Sequence, residues 1–169
     1  LVIEQWESFQ KQTYRNRCLI ATTQGIQALT VPVERGSSQL IKDIRISDHG
    51  NWRHLHWNAL VSAYGESPFF EYYQDDIRPF FEKGWEFLLD FNEATREKMC
   101  ELLDIQTKVS YSLEFATALH SPLKDFREGI RPKHPMEDPE FEPMTYYQVY
   151  QQKHGFLPNL SVLDLLFNM

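Results

Sequence analysis

Short apolar runs rich in β-branched residues dominate the pattern of the first third of the chain. Residues 17–23 and 26–33 form two such runs, and the dipeptide Gln24-Gly25 separates them. Glycine can supply the positive φ that a two-residue hairpin turn requires, so this pattern predicts a β-hairpin. Because Pro32 cannot donate a hydrogen bond to a ladder, we expect the second strand to end there or to run along an edge.

Three further segments have the pattern of short strands. The chain opens on the apolar run LVIE at residues 1–4, and isoleucine alternates imperfectly with charged residues at 41–46. Residues 109–113, VSYSL, alternate apolar and polar side chains in the same way. The first half of the chain is therefore expected to supply most of the sheet.

Apolar positions change to helical spacing in the middle of the chain. Residues 52–64 predict an amphipathic helix that stops at Gly65. A second helix is expected to follow, with Ser67 as its N-cap and Pro68 at its first helical position. Its FFEYY sequence, at residues 69–73, is typical of a core stripe, and a stacking platform for bases is the alternative.

Two capping patterns mark later helices. Asp90 and Glu93 have the spacing of a capping box at the start of a third helix, and Ser161 and Asp164 repeat that spacing before a short apolar run. Between them, residues 120–143 hold several prolines among charged residues and predict a long loop, which serves either as a lid or as a mobile segment.

These elements predict a mixed α/β fold in which a small mixed β-sheet with a hairpin packs against four to five helices. The chain has 169 residues, of which 42% are hydrophobic and 14% aromatic. That length and composition suit one compact domain over residues 1–169.

The charge balance excludes some classes of partner. A net charge of -7 argues against a general nucleic-acid-binding protein, which needs a basic face for phosphates. No run approaches the roughly 20 apolar residues that span a bilayer, and no leader pattern precedes the first strand. We expect a cytoplasmic protein with no membrane span. The chain starts at Leu1 rather than at methionine, so a segment upstream is expected to be missing.

Sequence motifs give no indication of a metal or a cofactor. Cys18 and Cys100 lack CxxC spacing, which fits a reducing compartment and two core thiols. P-loop, dinucleotide-binding and serine-hydrolase motifs are absent from the sequence. We therefore predict neither a cofactor nor a metal ion.

The densest group of functional residue types is KQTYRNR at residues 11–17. Lys11, Arg15 and Arg17 share one side of an extended backbone, and Lys11 and Arg15 also stack in a helix. Guanidinium groups bind phosphate or carboxylate in bidentate geometry, so the cluster predicts an anion site. The alternative is a set of surface salt bridges to the many acidic residues.

His56 is the candidate general base. It shares a helical stripe with Trp52 and Tyr64, which places its ring at the edge of the core. The alternative is a structural histidine. Although His54 and His56 form an HxH pair, they point to opposite sides of a helix, and we predict no metal from them.

Arg127 lies in the centre of the proline-rich loop, among further cations that include Arg131 and Lys133. A lid over a negatively charged ligand and a solvated loop are both compatible with this composition.

Several of these motifs together resemble the WbqC-like family. They are KQTYRNR at 11–17, GIQALTVPV at 25–33, the helix at 52–64, SPFFEYY at 67–73 and GFLPNLSVLDLLFN at 155–168. The resemblance spans nearly the whole chain in the same order, and the last motif is the most specific.

The resemblance implies a bacterial protein of O-antigen or other surface-polysaccharide biosynthesis, described as a glycine or amino-acyl transferase that acts on amino sugars. It also implies a partly parallel, nucleotidylyltransferase-like sheet whose first strand is missing here. The family's upstream strand and turn have no counterpart in this sequence. Residues that match the family pattern are Glu4, Lys11, Asn16, Arg17, His56, Tyr64, Ser67 and Pro68.

The leading hypothesis is a transferase that binds an anionic small molecule, either a nucleotide-linked amino sugar or an activated acyl donor. Lys11, Arg15 and Arg17 would hold the phosphates, and His56 would take a proton from the attacking amine. Further substrate-binding residues are expected to be Asn16, Tyr64 and Arg127. A non-catalytic scaffold of the same pathway and a purely fold-stabilising cluster are the alternatives, and the sequence leaves the oligomeric state open.

Overall fold

A computed structural model describes residues 1–34, 36, 39–117, 124–132, 141–142 and 144–169. The mixed α/β class is confirmed. The strands are β1 (Val2–Ile3), β2 (Arg17–Thr22), β3 (Gly25–Thr30) and β4 (Ser110–Tyr111), and the helices are α1 (Trp52–Tyr64), α2 (Phe70–Ile77), α3 (Pro79–Glu82), α4 (Leu88–Leu102), α5 (Gln151–His154) and α6 (Val162–Asn168).

The strands form two separate two-stranded sheets in the described part of the chain. The predicted hairpin is β2–β3, antiparallel from Arg17 opposite Thr30 to Thr22 opposite Gly25. The two-residue turn is Thr23-Gln24, one position earlier than the predicted Gln24-Gly25, and Gly25 follows it as the first residue of β3 with a positive φ of 107°. The first strand pairs in parallel with β4, far along the chain, so β1 and β4 bring the amino-terminal segment beside residues 110–117.

The prediction of a strand at residues 41–46 is largely wrong. Ile41–Asp43 form a 3-10 helix, and the following residues make only isolated bridges. A 3-10 turn aligns side chains three positions apart, so Ile41 and Ile44 both enter the core. Burial of this pair, rather than alternation along a strand, accounts for the isoleucine spacing.

Two helices begin at residues other than those the capping patterns predicted. Helix α2 begins at Phe70 instead of Pro68, and the Ser67 hydroxyl is buried without a hydrogen-bond partner. Helix α4 begins at Leu88 and no side chain caps it. The Leu88 N–H donates to the carbonyl of Ile44, so a tertiary contact fixes this start.

Ser161 is the N-cap of α6, as predicted, because its hydroxyl accepts a hydrogen bond from the Leu163 N–H. Asp164 does not complete a capping box. Its side chain is fully buried and accepts a hydrogen bond from Tyr64 instead.

Two apolar clusters form the core. The first joins the hairpin to α1, α2 and α6 through residues such as Ile20, Leu60 and Phe167. The second surrounds Trp52 and Leu88. Both thiols are free and half-buried, and burial raises the pKa of Cys18 to about 11. None of the helices in the described ranges has the length and apolarity that crossing a bilayer requires.

Candidate functional site

The amino-terminal segment and residues 125–128 enclose a cleft of about 390 Å³. We call it the N-terminal cleft. Its lining residues are Trp6, Glu7, Ser8, Gln10, Phe115, Asp125, Arg127 and Glu128.

Glu4 holds the two walls of the N-terminal cleft together. Its side chain is only 9% exposed. It accepts hydrogen bonds from the Ser112 hydroxyl at 2.7 Å and from the Ala116 N–H at 2.9 Å. Burial alone would raise the pKa of Glu4, but these hydrogen bonds, with that from the Trp6 N–H, outweigh burial and lower the pKa. Glu4 is therefore a carboxylate whose position is fixed by its donors.

Arg15 forms the second link across the cleft. Its Nε and Nη2 atoms donate to the Glu7 carboxylate at 2.6 and 2.5 Å, and Nη2 also donates to the carbonyl of Arg127 at 3.1 Å. The two side chains are 13% and 15% exposed. Such a bidentate, largely buried pair acts first as a structural clamp, because the fork of the guanidinium already binds a carboxylate.

Arg127 faces the cleft and is more accessible. Its Nη2 and Nε atoms donate to Asp125 at 2.6 and 2.9 Å, while Nη1 donates to the carbonyl of Ala116 and lies 3.6 Å from Glu4. The hydrogen bond with Asp125 raises the pKa of Arg127 and lowers that of Asp125. Its guanidinium carbon also lies 5.2 Å from the centre of the Phe115 ring. The group is thus fully charged and held in one orientation.

The N-terminal cleft carries charges of both signs. The Glu128 carboxylate pairs with Arg131 and accepts a hydrogen bond from the Gln10 amide at 2.9 Å. It lines the cleft together with the acids Glu7 and Asp125. Trp6 adds an aromatic wall. A cleft in which one guanidinium lies among several carboxylates can accept a ligand that has both an anionic group and an ammonium group.

The structure brings Arg15 and Arg127 together, but it places the other predicted cations elsewhere. Lys11 is exposed on a turn and forms no ion pair with any described residue. Arg17 begins β2 and donates to the Thr30 hydroxyl at 3.0 Å. Asn16 is buried beside the hairpin, where its amide donates to the carbonyl of Val31 and its Oδ1 atom has no partner.

His56 and Tyr64 are both on α1 and lie outside the lining of this cleft, within aromatic surroundings. His56 packs edge-on against Trp52 at 5.2 Å and against Phe81 at 6.4 Å. Burial lowers its pKa to about 4, so the ring is neutral near pH 7. Tyr64 is fully buried and its pKa is raised, first by burial and then by the neighbouring Asp164 carboxylate.

The side chains of His54 and His56 do not point toward a common site, in agreement with the opposite directions expected of these positions on a helix. His54 is exposed and lies 2.9 Å from the amide nitrogen of Asn58, whereas the His56 ring packs against Trp52. Within the described residues, no three metal-binding side chains are grouped.

Sequence reasoning missed the acidic half of the cleft. Neither of the acids Glu7 and Glu128 was predicted as a site residue, and neither was Trp6. The available signal was the EQWE sequence at residues 4–7, where carboxylates flank an aromatic residue just before the basic cluster.

Comparison with known proteins gives two matches. Residues 1–125 match the WbqC-like protein family. The chain is also 28% identical over 185 aligned positions to an uncharacterized protein of Mycobacterium tuberculosis, with 95% of this chain and 80% of that protein covered. No solved structure matches the chain with significance.

Proposed function

The chain belongs to the WbqC-like protein family, and on that premise we propose that it binds, in the N-terminal cleft, a small substrate that carries both an anionic group and an amine. A nucleotide-linked amino sugar has this combination, and so does an activated amino-acyl donor. In this proposal the protein is an amino-acyl transferase of bacterial surface-polysaccharide biosynthesis.

The observation that supports the proposal is that an anion can replace Asp125 in its ion pair with Arg127. The Asp125 side chain is 41% exposed, and Asp125 lies only two residues from Arg127 in the same short segment. A phosphate or carboxylate can therefore replace Asp125 on the guanidinium while the Ala116 carbonyl still orients it. Displacement of Asp125 would leave this carboxylate free to bind an ammonium group.

The transfer itself requires a base for the attacking amine. The amine nitrogen would form a bond to the acyl carbon, the bond to the leaving group would break, and the amine would lose a proton. A carboxylate of the cleft, such as Glu128, is the group within reach of an amine bound there. The proposal therefore assigns this role to Glu128 rather than to His56, which packs against Trp52.

A non-catalytic binding role is the second candidate, and the pairing of Arg15 favours it. Arg15 is already bound to Glu7, while Lys11 and Arg17 lie outside the cleft lining. Recognition of an anion through Arg127 alone would suit a protein that holds a precursor for another enzyme.

Thermal-shift and calorimetric titration of the whole chain would test binding. The ligands are a nucleotide-linked amino sugar, the free nucleotide and the free amino sugar. A ligand at about 100 times its Kd adds about 2.7 kcal/mol of stability, so a shift is easily measured. We expect the linked compound to bind most tightly, because it alone uses both kinds of charge.

Two variants sharpen this test. Arg127→Ala should abolish binding, whereas Asp125→Ala should tighten binding of the free nucleotide, because the carboxylate that competes with its phosphate is gone. Arg78→Ala is the matched control, since Arg78 is 56% exposed and pairs with Glu82 on a helix surface. Binding that persists in Arg127→Ala, or binding of the free nucleotide that Asp125→Ala weakens, would contradict the proposal. Binding of the linked compound by the wild-type chain without any acyl transfer would favour the non-catalytic candidate.

A further inference from the structure

Strand β3 has one edge that no other described part of the chain covers. Val31 N–H donates to the carbonyl of Asn16 at 2.8 Å, and hydrogen-bonded pairs alternate along an antiparallel ladder. Ile26, Ala28 and Thr30 therefore direct their backbone N–H and C=O groups away from β2. Among the described residues, none outside the hairpin forms a hydrogen bond with these groups.

A groove of about 720 Å³ runs along this same edge. One wall is the hairpin, and the other is the side of α1 that carries Leu55, Ala59 and Ser62. Ile26 is 51% exposed and Leu55 is 59% exposed. The groove thus lies where an added strand would pair with β3 and would at the same time cover the side of α1.

The edge lacks the devices that keep edge strands from pairing. Natural edge strands commonly carry lysine, proline or a bulge. Strand β3 is six residues long, pairs in continuous register with β2 and has no charged residue or proline. An open edge of this kind is a template for another strand.

The charge distribution indicates which strand fits. The chain has a net charge of -7, yet the segment from Cys18 to Val33 has no charged residue and α1 has no acidic residue. Two copies of an acidic chain repel each other on most surfaces, but not on this one. An uncharged groove would also offer no electrostatic attraction to an acidic or basic partner.

We propose that this edge is a homodimer interface in which β3 pairs antiparallel with β3 of a second copy. With the two-fold axis at Ala28, Ala28 faces its own mate and Ile26 faces Thr30, so all the outward-facing residues of the strand find partners. The result is a four-stranded sheet with both α1 helices on one face. The small residues Ala59 and Ser62 let those helices approach across the axis, and Leu55 fills the space between them.

Sedimentation velocity of the whole chain over a wide range of concentration would test the interface. The wild-type protein should dimerise. Ala28→Lys places two like charges directly opposite each other, which should weaken the dimer by about tenfold or more without removing any hydrogen bond of the hairpin. Leu113→Lys is the control, because Leu113 is 90% exposed and belongs neither to the hairpin nor to the lining of the groove; it should leave the dimer intact.

Hydrogen exchange distinguishes this dimer from any other. The amide of residue 28 should exchange slowly in the dimer and rapidly in the Ala28→Lys monomer, whose cooperative thermal unfolding would show that it is folded. A wild-type protein that stays monomeric at all concentrations would refute the proposal. This holds even if the groove of that monomer binds an unrelated peptide. A dimer with a fast-exchanging Ala28 amide would refute it equally.

Discussion

The hydroxyl of Tyr64 at the end of α1 donates a hydrogen bond of 2.7 Å to the Asp164 carboxylate of α6, and both side chains are fully buried. The same hydroxyl accepts a hydrogen bond from the Ala21 N–H of β2 at 3.0 Å. On its other oxygen, Asp164 accepts from the Tyr146 hydroxyl and the Gln148 amide. One buried network thus joins the hairpin, the first long helix and the carboxyl-terminal helix.

Removal of the Tyr64 hydroxyl should be costly. Tyr64→Phe leaves the Ala21 N–H and one carboxylate oxygen of Asp164 buried without this partner, which should lower the free energy of unfolding by about 1–3 kcal/mol. Urea unfolding measures the effect. Tyr72→Phe is the control, because Tyr72 is 74% exposed, and it should unfold like the wild type. Equal stability of both variants would show that the buried network contributes nothing.

His56 should make stability depend on pH. Its pKa is lowered from 6.5 to about 4 in the folded protein. Between these values the unfolded chain binds more protons than the folded one, so stability is fully present above pH 6.5 and falls as the pH drops toward 4. The loss due to this ring should be about 2 kcal/mol, because each pKa unit corresponds to about 1.4 kcal/mol and the ring keeps some contact with water.

The variant that tests this is His56→Phe, which preserves the aromatic packing and removes the titrating group. Its stability should fall less steeply than that of the wild type between pH 6.5 and 4, as measured by urea unfolding at several pH values. His54→Gln changes an exposed histidine of the same helix and should retain the wild-type slope. A slope that is unchanged in His56→Phe would contradict the assigned burial effect.

The hairpin, α1 and the Ser161 cap could be predicted from the sequence because their signals are local. A glycine in a turn, apolar residues at helical spacing and a serine before an apolar run each act within a few residues. The N-terminal cleft could not be predicted in this way. The contact between Arg15 and Arg127 joins residues 112 positions apart, and alternation alone cannot reveal which acid a cation will meet.

The errors follow from the same limit. Asp164 has ideal spacing for a capping box, but a partner 100 positions away binds its side chain. Leu88 starts α4 because it pairs with Ile44, a contact that no capping rule contains. Tertiary hydrogen bonds outweighed local preference in both places.

The clamp between Arg15 and Glu7 should contribute more than an exposed ion pair. Arg15→Ala leaves the Glu7 carboxylate mostly buried without its cation, which should cost about 2 kcal/mol or more. Arg78→Ala breaks a pair whose side chains are more than half exposed and should cost less than about 1 kcal/mol. A double-mutant cycle with Glu7→Ala measures the coupling. Coupling no larger than that of Arg78 with Glu82 would mean that Arg15 is not a clamp.

Gly25 sets the geometry of the β2–β3 turn and should tolerate no side chain. Its φ of 107° lies in the region that L residues rarely adopt, so Gly25→Ala should lower the free energy of unfolding by about 1–2 kcal/mol even though open space surrounds the position. Gly84→Ala is the matched control, because that position is equally open and its φ is not positive; it should be neutral or slightly stabilising. Urea unfolding with an unchanged m-value would attribute the difference to backbone strain, whereas equal effects of the two substitutions would show that the turn does not need its glycine.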